Sequence, residues 1–325
     1  MHPRRQIYLA PFPYFWQPCN WHNKGARLLE GTDVMSTKDA LVALGVKISR
    51  DNDGLWHIVG VGLNGMISPA TPLNLGNSGT GVRLLMGVVA GQKITATFCG
   101  DASLSARPMA RVTDPLTKMG ANITSREGGL LPVTIQGNRS LMAAHHCSKI
   151  ASAQIKSAIL LAGLNARGTT IVSEPSASRD HSESMLRHFG ASISKEVADD
   201  KSHRVKLADG AHLRAADIIV PSDPSSAAFA IVAALITPGS DIILRDIGMN
   251  PLRTGLITTL IEMGGNISKS NLRTEGGEAI ADLRVKYSQL HGITVPPDRA
   301  PSMIDEYPIL SVAAASANGT TEMLG

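Results

Sequence analysis

The sequence predicts an α/β protein built from repeated units in two lobes, and three observations carry that prediction. At 325 residues the chain exceeds what one hydrophobic core usually serves. A pattern recurs four times, as Leu41-x-x-Leu44-Gly45-x-x-Ile48, Leu116-x-x-Met119-Gly120-x-x-Ile123, Leu186-x-x-Phe189-Gly190-x-x-Ile193 and Leu260-x-x-Met263-Gly264-x-x-Ile267. Its glycines, Gly45, Gly120, Gly190 and Gly264, are almost evenly spaced, and a near-constant period marks a repeat architecture. Each instance reads as the last turn of a helix, a glycine at the C-cap and a strand opening at the isoleucine. The third observation is the loop Asn74-Leu75-Gly76-Asn77-Ser78-Gly79-Thr80-Gly81, which leads from an apolar approach into an amphipathic run with Val82, Leu85, Met86 and Val89 on one face. Ser78 or Thr80 can cap that helix, and small residues there leave backbone N–H groups bare for an anion.

Composition narrows the class. Hydrophobic residues make up 43% and charged residues 18%, which suits a globular chain without a disordered share. Aromatics, at 4%, are too few for base-stacking platforms. The net charge of +4 suits anionic ligands but comes without the Lys/Arg runs that nucleic acid requires. Cys19, Cys99 and Cys147 are odd in number and lack metal spacing, so a reduced, cytoplasmic protein is expected. No apolar run reaches about 18 residues, so no transmembrane helix is expected. The basic start Met1-His2-Pro3-Arg4-Arg5 is not followed by a signal peptide's apolar core and cleavage site.

Taken in order, the stretch from Met1 to His22 holds six of the twelve aromatics together with Pro11, Pro13 and Pro18. No element is assigned there, and irregular chain is expected. Strands are expected at Leu55–Gly60, Ile94–Cys99, Leu131–Ile135, Thr169–Val172, Ile218–Val220, Asp241–Leu244 and Leu283–Val285, which are rich in β-branched residues and bounded by turns. Helices are expected at Ser152–Leu164, Ser225–Ile236, Thr254–Met263 and Ser302–Ala315, with Pro115 and Pro308 each kinking or splitting a helical stretch. Val220-Pro221-Ser222-Asp223-Pro224-Ser225 breaks the pattern and marks the crossing between lobes. Three units precede it; one unit and part of another follow, so the second lobe reads as unfinished where a strand begins near Thr320.

Chemistry-bearing residues collect at the helix entrances. Arg107 precedes Pro108, a residue suited to a first helical position, and an arginine there clamps a carboxylate or phosphate through its bidentate fork. Arg179 before His181, and Arg253 in the fourth unit, hold comparable loop positions. Three such arginines are what an anionic substrate needs. Ser152 and Gln154 open another helix, where capping alone accounts for the serine. Ser302 and Asp305 read either as a capping box or as a carboxylate placed to take a hydroxyl proton. No Ser-His-Asp order, zinc spacing or P-loop lysine is present, which leaves hydrolase, metalloenzyme and P-loop readings poor.

These motifs together are specific. Leu75-Gly-Asn-Ser-Gly-Thr-Gly-Val-Arg-Leu, Gly100-Asp-Ala-Ser-Leu-Ser-Ala-Arg-Pro-Met, Ala151-Ser-Ala-Gln-Ile-Lys-Ser-Ala, Thr254-Gly and Ala300-Pro-Ser-Met-Ile-Asp-Glu-Tyr-Pro resemble 5-enolpyruvylshikimate-3-phosphate synthases over roughly residues 25–325. Arg179-Asp-His and Asp223-Pro-Ser-Ser resemble the bacterial class II branch. The resemblance implies the two-lobe α/β enolpyruvyl transferase fold of repeated βαβαββ units. It divides the chain into a non-family segment 1–24, a first lobe 25–221 with three units and a partial second lobe 222–325. It also implies transfer of the enolpyruvyl group of phosphoenolpyruvate to the 5-hydroxyl of shikimate 3-phosphate with release of phosphate, a step of the shikimate pathway toward chorismate and the aromatic amino acids. By the same resemblance no metal or organic cofactor takes part; a monomer is expected, and from composition and the lack of a long apolar run neither nucleic acid nor membrane is expected as a partner. Carried over position by position, Gly79 and Arg107 touch phosphoenolpyruvate, Gln154 stands between the substrates, Ser152, Ala153 and Arg179 hold shikimate 3-phosphate, and Asp305 is the catalytic base. Gly79 leaves room beside the phosphoenolpyruvate site, which implies that a complete version of the enzyme is inhibited by glyphosate.

Two departures qualify that expectation. The family opens on a Gly-Asp-Lys-Ser-x-x-x-Arg segment, replaced here by the aromatic, proline-broken stretch ending near Lys24. The family's Lys-Glu-Ser-Asp-Arg motif and further basic residues would follow Gly325. The chain is therefore read as truncated, with a non-catalytic remnant that at most binds shikimate 3-phosphate as the alternative. A sister transferase acting on a UDP-sugar is disfavoured, because Cys99 precedes Gly-Asp in a strand instead of standing in a loop.

Overall fold

The computed structural model describes residues 22–324. The irregular chain expected from Met1 to His22 lies outside that range, except that His22 already belongs to a strand. The described residues form two compact units, divided between Ile219 and Val220.

In the first unit the chain runs β1 (His22–Ala26), α1 (Thr32–Ala43), β2 (Lys47–Arg50), β3 (Trp56–Val59), β4 (Leu73–Asn74), α2 (Gly79–Ala90), β5 (Thr95–Cys99), α3 (Ala102–Ser105) and α4 (Ala110–Lys118). It continues with β6 (Asn122–Arg126), β7 (Leu130–Gln136), β8 (His145–Cys147), α5 (Ala153–Gly163), β9 (Thr170–Glu174), α6 (His181–His188), β10 (Ile193–Val197), β11 (His203–Leu207) and β12 (Ile218–Ile219). The strands make three four-stranded sheets of one design, ordered β12-β1-β3-β2, β4-β5-β7-β6 and β8-β9-β11-β10. Each opens with a parallel pair and continues antiparallel. The first sheet takes its parallel partner from the far end of the unit, where Ile218 faces Gly25.

The repeat glycines sit where the sequence requires them. Gly45, Gly120 and Gly190 have φ of 98°, 110° and 95°, and Gly264 in the second unit has 92°. Each follows a helix end and turns the chain into a strand holding the predicted isoleucine. Side chains with a Cβ resist that backbone region. The three inner faces bury Leu41, Leu44, Phe98, Leu116, Leu186 and Phe189.

Two expectations need correction. The run after the glycine loop is not amphipathic in effect: α2 is buried all round except for Thr80 and Arg83. Pro115 does not split α4, which runs through it. Only the Arg111 carbonyl loses a helical partner, and burial of Val112 and Leu116 holds the turn against the core.

The second unit contains α7 (Pro224–Ile236), β13 (Asp241–Gly248), α8 (Gly255–Glu262), β14 (Asn266–Glu275), β15 (Glu278–Lys286), β16 (Thr294–Val295), α9 (Tyr307–Ala315) and β17 (Glu322–Met323). Its main sheet has the order β13-β15-β14, and β16 pairs in parallel with β17, the strand expected near Thr320. Asp223 caps α7 by accepting from Ser226 N–H at 3.2 Å, and Pro224 takes the first helical position. Ile231, Leu235, Leu256, Leu260, Leu283 and Leu310 are among the residues of its core. The helix expected at Ser302–Ala315 begins only at Tyr307, after tight turns at Pro297–Ser302 and Ile304–Glu306, and Pro308 does not split it but stands in the first turn of α9.

Candidate active site

Helices α2 and α5 run parallel and nearly one repeat apart in sequence. Thr80 Oγ1 accepts from Gln154 Nε2 at 2.8 Å at their starts. A Cβ at Gly87 would stand 2.1 Å from the Ala158 carbonyl oxygen at mid-helix, and Gly91 meets Asn165 at the far end. Backbone-to-backbone contact of this kind is open only to glycine. Two helix N-termini therefore lie side by side, each capped by a serine and without an acidic residue in its first turn. Ser78 Oγ accepts from Gly81 N–H at 3.2 Å, and Ser152 Oγ from Ile155 N–H at 3.5 Å. The bare amides and aligned dipoles of both ends favour anions.

Cations gather at the α2 end. Arg83 Nη1 donates to the Gly79 carbonyl and to Gln154 Oε1, both at 3.0 Å. Arg107 Nη2 donates to Asn77 Oδ1 at 2.9 Å, and Asn77 Nδ2 donates to Asp101 Oδ2 at 2.9 Å. Asp101 in turn caps α3 through the Leu104 N–H at 2.7 Å. Burial, then the nearby Arg107 and Arg111 charges, push the Arg83 guanidinium below its ordinary pKa. Guanidiniums gathered in this way form a site that an anion would relieve. A Cβ at Gly79 would lie 3.0 Å from Arg83 Nη1 and 3.1 Å from Arg107 Nη1.

On the α5 side a small open cleft is lined by Thr80, Ala153, Gln154, Ser157, Arg179 and His181. Beneath it lies an ion triad. Lys156, 2% exposed, reaches Glu174 Oε2 at 3.0 Å and Glu183 Oε1 at 2.9 Å. Glu174 Oε1 accepts the Ser152 N–H at 2.7 Å. Burial disfavours the Lys156 ammonium, but Glu183 and Glu174 outweigh it and hold its pKa above the ordinary value. Burial raises Glu183, against the pull of Lys156.

The structure thus brings Gly79, Arg107, Ser152, Ala153, Gln154 and Arg179 together on one unit. Asp305 belongs to the other unit, exposed in the turn Ile304–Glu306. The capping-box reading of Ser302 fails, since its hydroxyl donates to the Arg299 carbonyl at 2.8 Å and α9 starts only at Tyr307. Arg253 also departs from expectation. It is 2% exposed, lies 3.4 Å from Asp223 and 3.8 Å from Glu306, and donates to Ser225, so it is an internal ion-pair residue and not an entrance clamp. Sequence reading passes over Arg83, Asn77 and Lys156. Arg83 falls one turn after Gly79, on the same face of α2, which is the available signal.

A profile of the EPSP synthase (3-phosphoshikimate 1-carboxyvinyltransferase) family matches residues 24–325. The chain is 59% identical over 301 residues to a 3-phosphoshikimate 1-carboxyvinyltransferase of Methylorubrum populi, covering 92% of this chain and 66% of that one. A relative of the same name from Granulibacter bethesdensis is 56% identical over 299 residues, with the same coverage. The chain therefore spans just under two thirds of the length of these relatives. An EPSP synthase structure from Acinetobacter baumannii superimposes with a TM-score of 0.91 at 42% identity, over all of this chain and 72% of that one. On the profile match, the identities and the shared fold, this chain belongs to the EPSP synthase family.

Proposed function

We propose that this chain serves enolpyruvyl transfer from phosphoenolpyruvate to the 5-hydroxyl of shikimate 3-phosphate, releasing phosphate, as a monomer in the cytoplasm. The names that the relatives carry support the reaction. The observation that carries it is the meeting of two serine-capped helix N-termini with Gln154 bonded to Thr80 and Arg83 between them. In this reading Gly79, Arg83 and Arg107 bind the phosphate and carboxylate of phosphoenolpyruvate, and Ser152, Ala153 and Arg179 hold shikimate 3-phosphate. Gln154 bridges the two. The 5-oxygen of shikimate 3-phosphate attacks C2 of phosphoenolpyruvate while Asp305 takes the hydroxyl proton; protonation of the methylene gives a tetrahedral intermediate. Loss of a methyl proton with expulsion of phosphate restores the enol ether. Two anions held within reach and away from water supply much of the rate.

The alternative of an inactive remnant draws no support from a match that takes in 92% of the chain. The test is phosphate release from phosphoenolpyruvate plus shikimate 3-phosphate, by this chain and by Asp305→Asn. Turnover that disappears in the variant is the expected result. Undiminished turnover in Asp305→Asn would remove Asp305 from its role; no turnover and no shikimate 3-phosphate binding by the parent would refute the reading.

A further inference from the structure

The buried triad under the α5 side of the cleft lies outside every role assigned so far. Lys156 sits one turn into α5, facing away from the cleft, and no substrate reaches it at 2% exposure. Its partners come from two other elements: Glu174 ends β9 and Glu183 lies in the first turn of α6. What the triad touches is informative. Glu174 Oε1 accepts the Ser152 N–H at 2.7 Å, and its Oε2 accepts the Ser178 hydroxyl at 2.7 Å. Lys156 Nζ also donates to the Ser178 carbonyl at 3.2 Å. Ser152 caps α5 on one wall of the cleft, and Ser178 immediately precedes Arg179 on the other. One glutamate and one lysine therefore join both walls from below, and Glu183 ties them to α6, whose first residue His181 also faces the cleft.

We propose that Lys156, Glu174 and Glu183 are positioning residues that set the spacing between Ser152 and Arg179 for a phosphorylated polyol. The inference rests on the reading of this cleft as the shikimate 3-phosphate subsite. Packing alone does not call for ions here, since a buried pair is often no more stable than apolar residues of the same volume. Its presence fits a demand for geometry: both carboxylate oxygens of Glu174 are engaged, one toward each wall.

The test measures binding of shikimate 3-phosphate to the full chain by calorimetry, for wild type, Glu174→Ala, Glu174→Gln and Ser178→Ala, with melting temperatures alongside. Glu174→Ala is expected to weaken binding by about tenfold or more, as misplaced site groups do. Glutamine keeps an acceptor for the Ser152 N–H but loses the charge facing Lys156. A merely stabilising ion pair would thus give both variants the same affinity, whereas positioning ranks glutamine above alanine. Should Glu174→Ala fail to fold, Ser178→Ala decides, with a loss of about threefold or more expected from one released wall contact. Wild-type affinity in the folded variants, or equal affinity in the alanine and glutamine forms, would overturn the proposal. A wild-type chain that does not bind shikimate 3-phosphate would instead refute the reading of the cleft, before any variant is compared.

Discussion

Helices α2 and α5 meet backbone to backbone at Gly87, and replacing it with alanine tests the whole arrangement of the two helices. The added methyl would stand 2.1 Å from the Ala158 oxygen, 2.7 Å from its carbonyl carbon and 2.8 Å from its Cα. An ordinary C···O contact needs about 3.3 Å, so the helices must part by about 1 Å. Overpacking of a core costs about 1–3 kcal/mol, and here the upper end applies because backbone, not a movable side chain, is in the way. In a unit of this size that corresponds to a fall in melting temperature of about 6–12 °C. Calorimetric or circular dichroism melting of Gly87→Ala against wild type reads it directly. Adding Ala158→Gly should not restore stability, since the clash is with the carbonyl. Melting within about 2 °C of wild type, or rescue by Ala158→Gly, would refute the packing argument. Binding should fall too, because the same displacement pulls at the 2.8 Å bond between Gln154 and Thr80.

Three further outcomes follow from the site and its supports. Gly79→Ala puts a methyl 3.0–3.1 Å from the Arg83 and Arg107 guanidiniums, so phosphoenolpyruvate binding should weaken by about tenfold, measured by calorimetry, while melting holds. Arg253→Met removes the guanidinium that faces the buried carboxylates of Asp223 and Glu306, which should destabilise the second unit by about 3–5 kcal/mol in urea unfolding. Glu183 has a folded-state pKa above its ordinary 4.5, so the folded chain holds a proton there that the unfolded chain releases. Its contribution is full below that value and is lost as pH rises through the folded pKa. Glu183→Gln should thus gain stability relative to wild type as pH is raised from about 4.5, and a gap moving the other way in urea titrations would sink the assignment.

Much of this is legible in the sequence because it rests on local backbone demands. A helix that must stop and turn into a strand needs a residue free of a Cβ, so four glycines betray the repeat, and all four adopt positive φ. Ser78 and Ser152 are readable as caps for the same reason. Relations between distant segments are not. Nothing near His22–Ala26 announces that β12, almost the whole unit later, supplies its parallel neighbour. Strand β14, Asn266–Glu275, is announced only at its start, by Ile267; its extent escapes sequence reading because its exposed face is polar and little alternation survives. Arg253 misleads because equivalence along a repeat fixes a residue's place on its element but not what folds against it: Asp223 arrives from the N-cap of α7 and Glu306 from the turn before α9.

The repeat also explains why the site stands where it does. Two helices that begin one period apart, and belong to neighbouring units of the same design, come to lie parallel, so their positive ends fall at the same level. The contacts at Thr80 with Gln154 and at Gly91 with Asn165 share the same offset in sequence. Duplication alone therefore places two anion-binding ends beside one another, which is the minimum needed to hold two anionic reactants. What differs between the copies then supplies selectivity. The α2 end carries Arg83 with Arg107 beside it, suited to a small, highly charged ligand. The α5 end carries Ser152, Ala153 and Gln154 above a buried triad, with Arg179 opposite, suited to a hydroxylated ligand bearing one phosphate. On that division, exchanging Arg83 for glutamine should weaken phosphoenolpyruvate binding far more than shikimate 3-phosphate binding. Equal losses for both ligands in calorimetry would show that the two ends do not act separately.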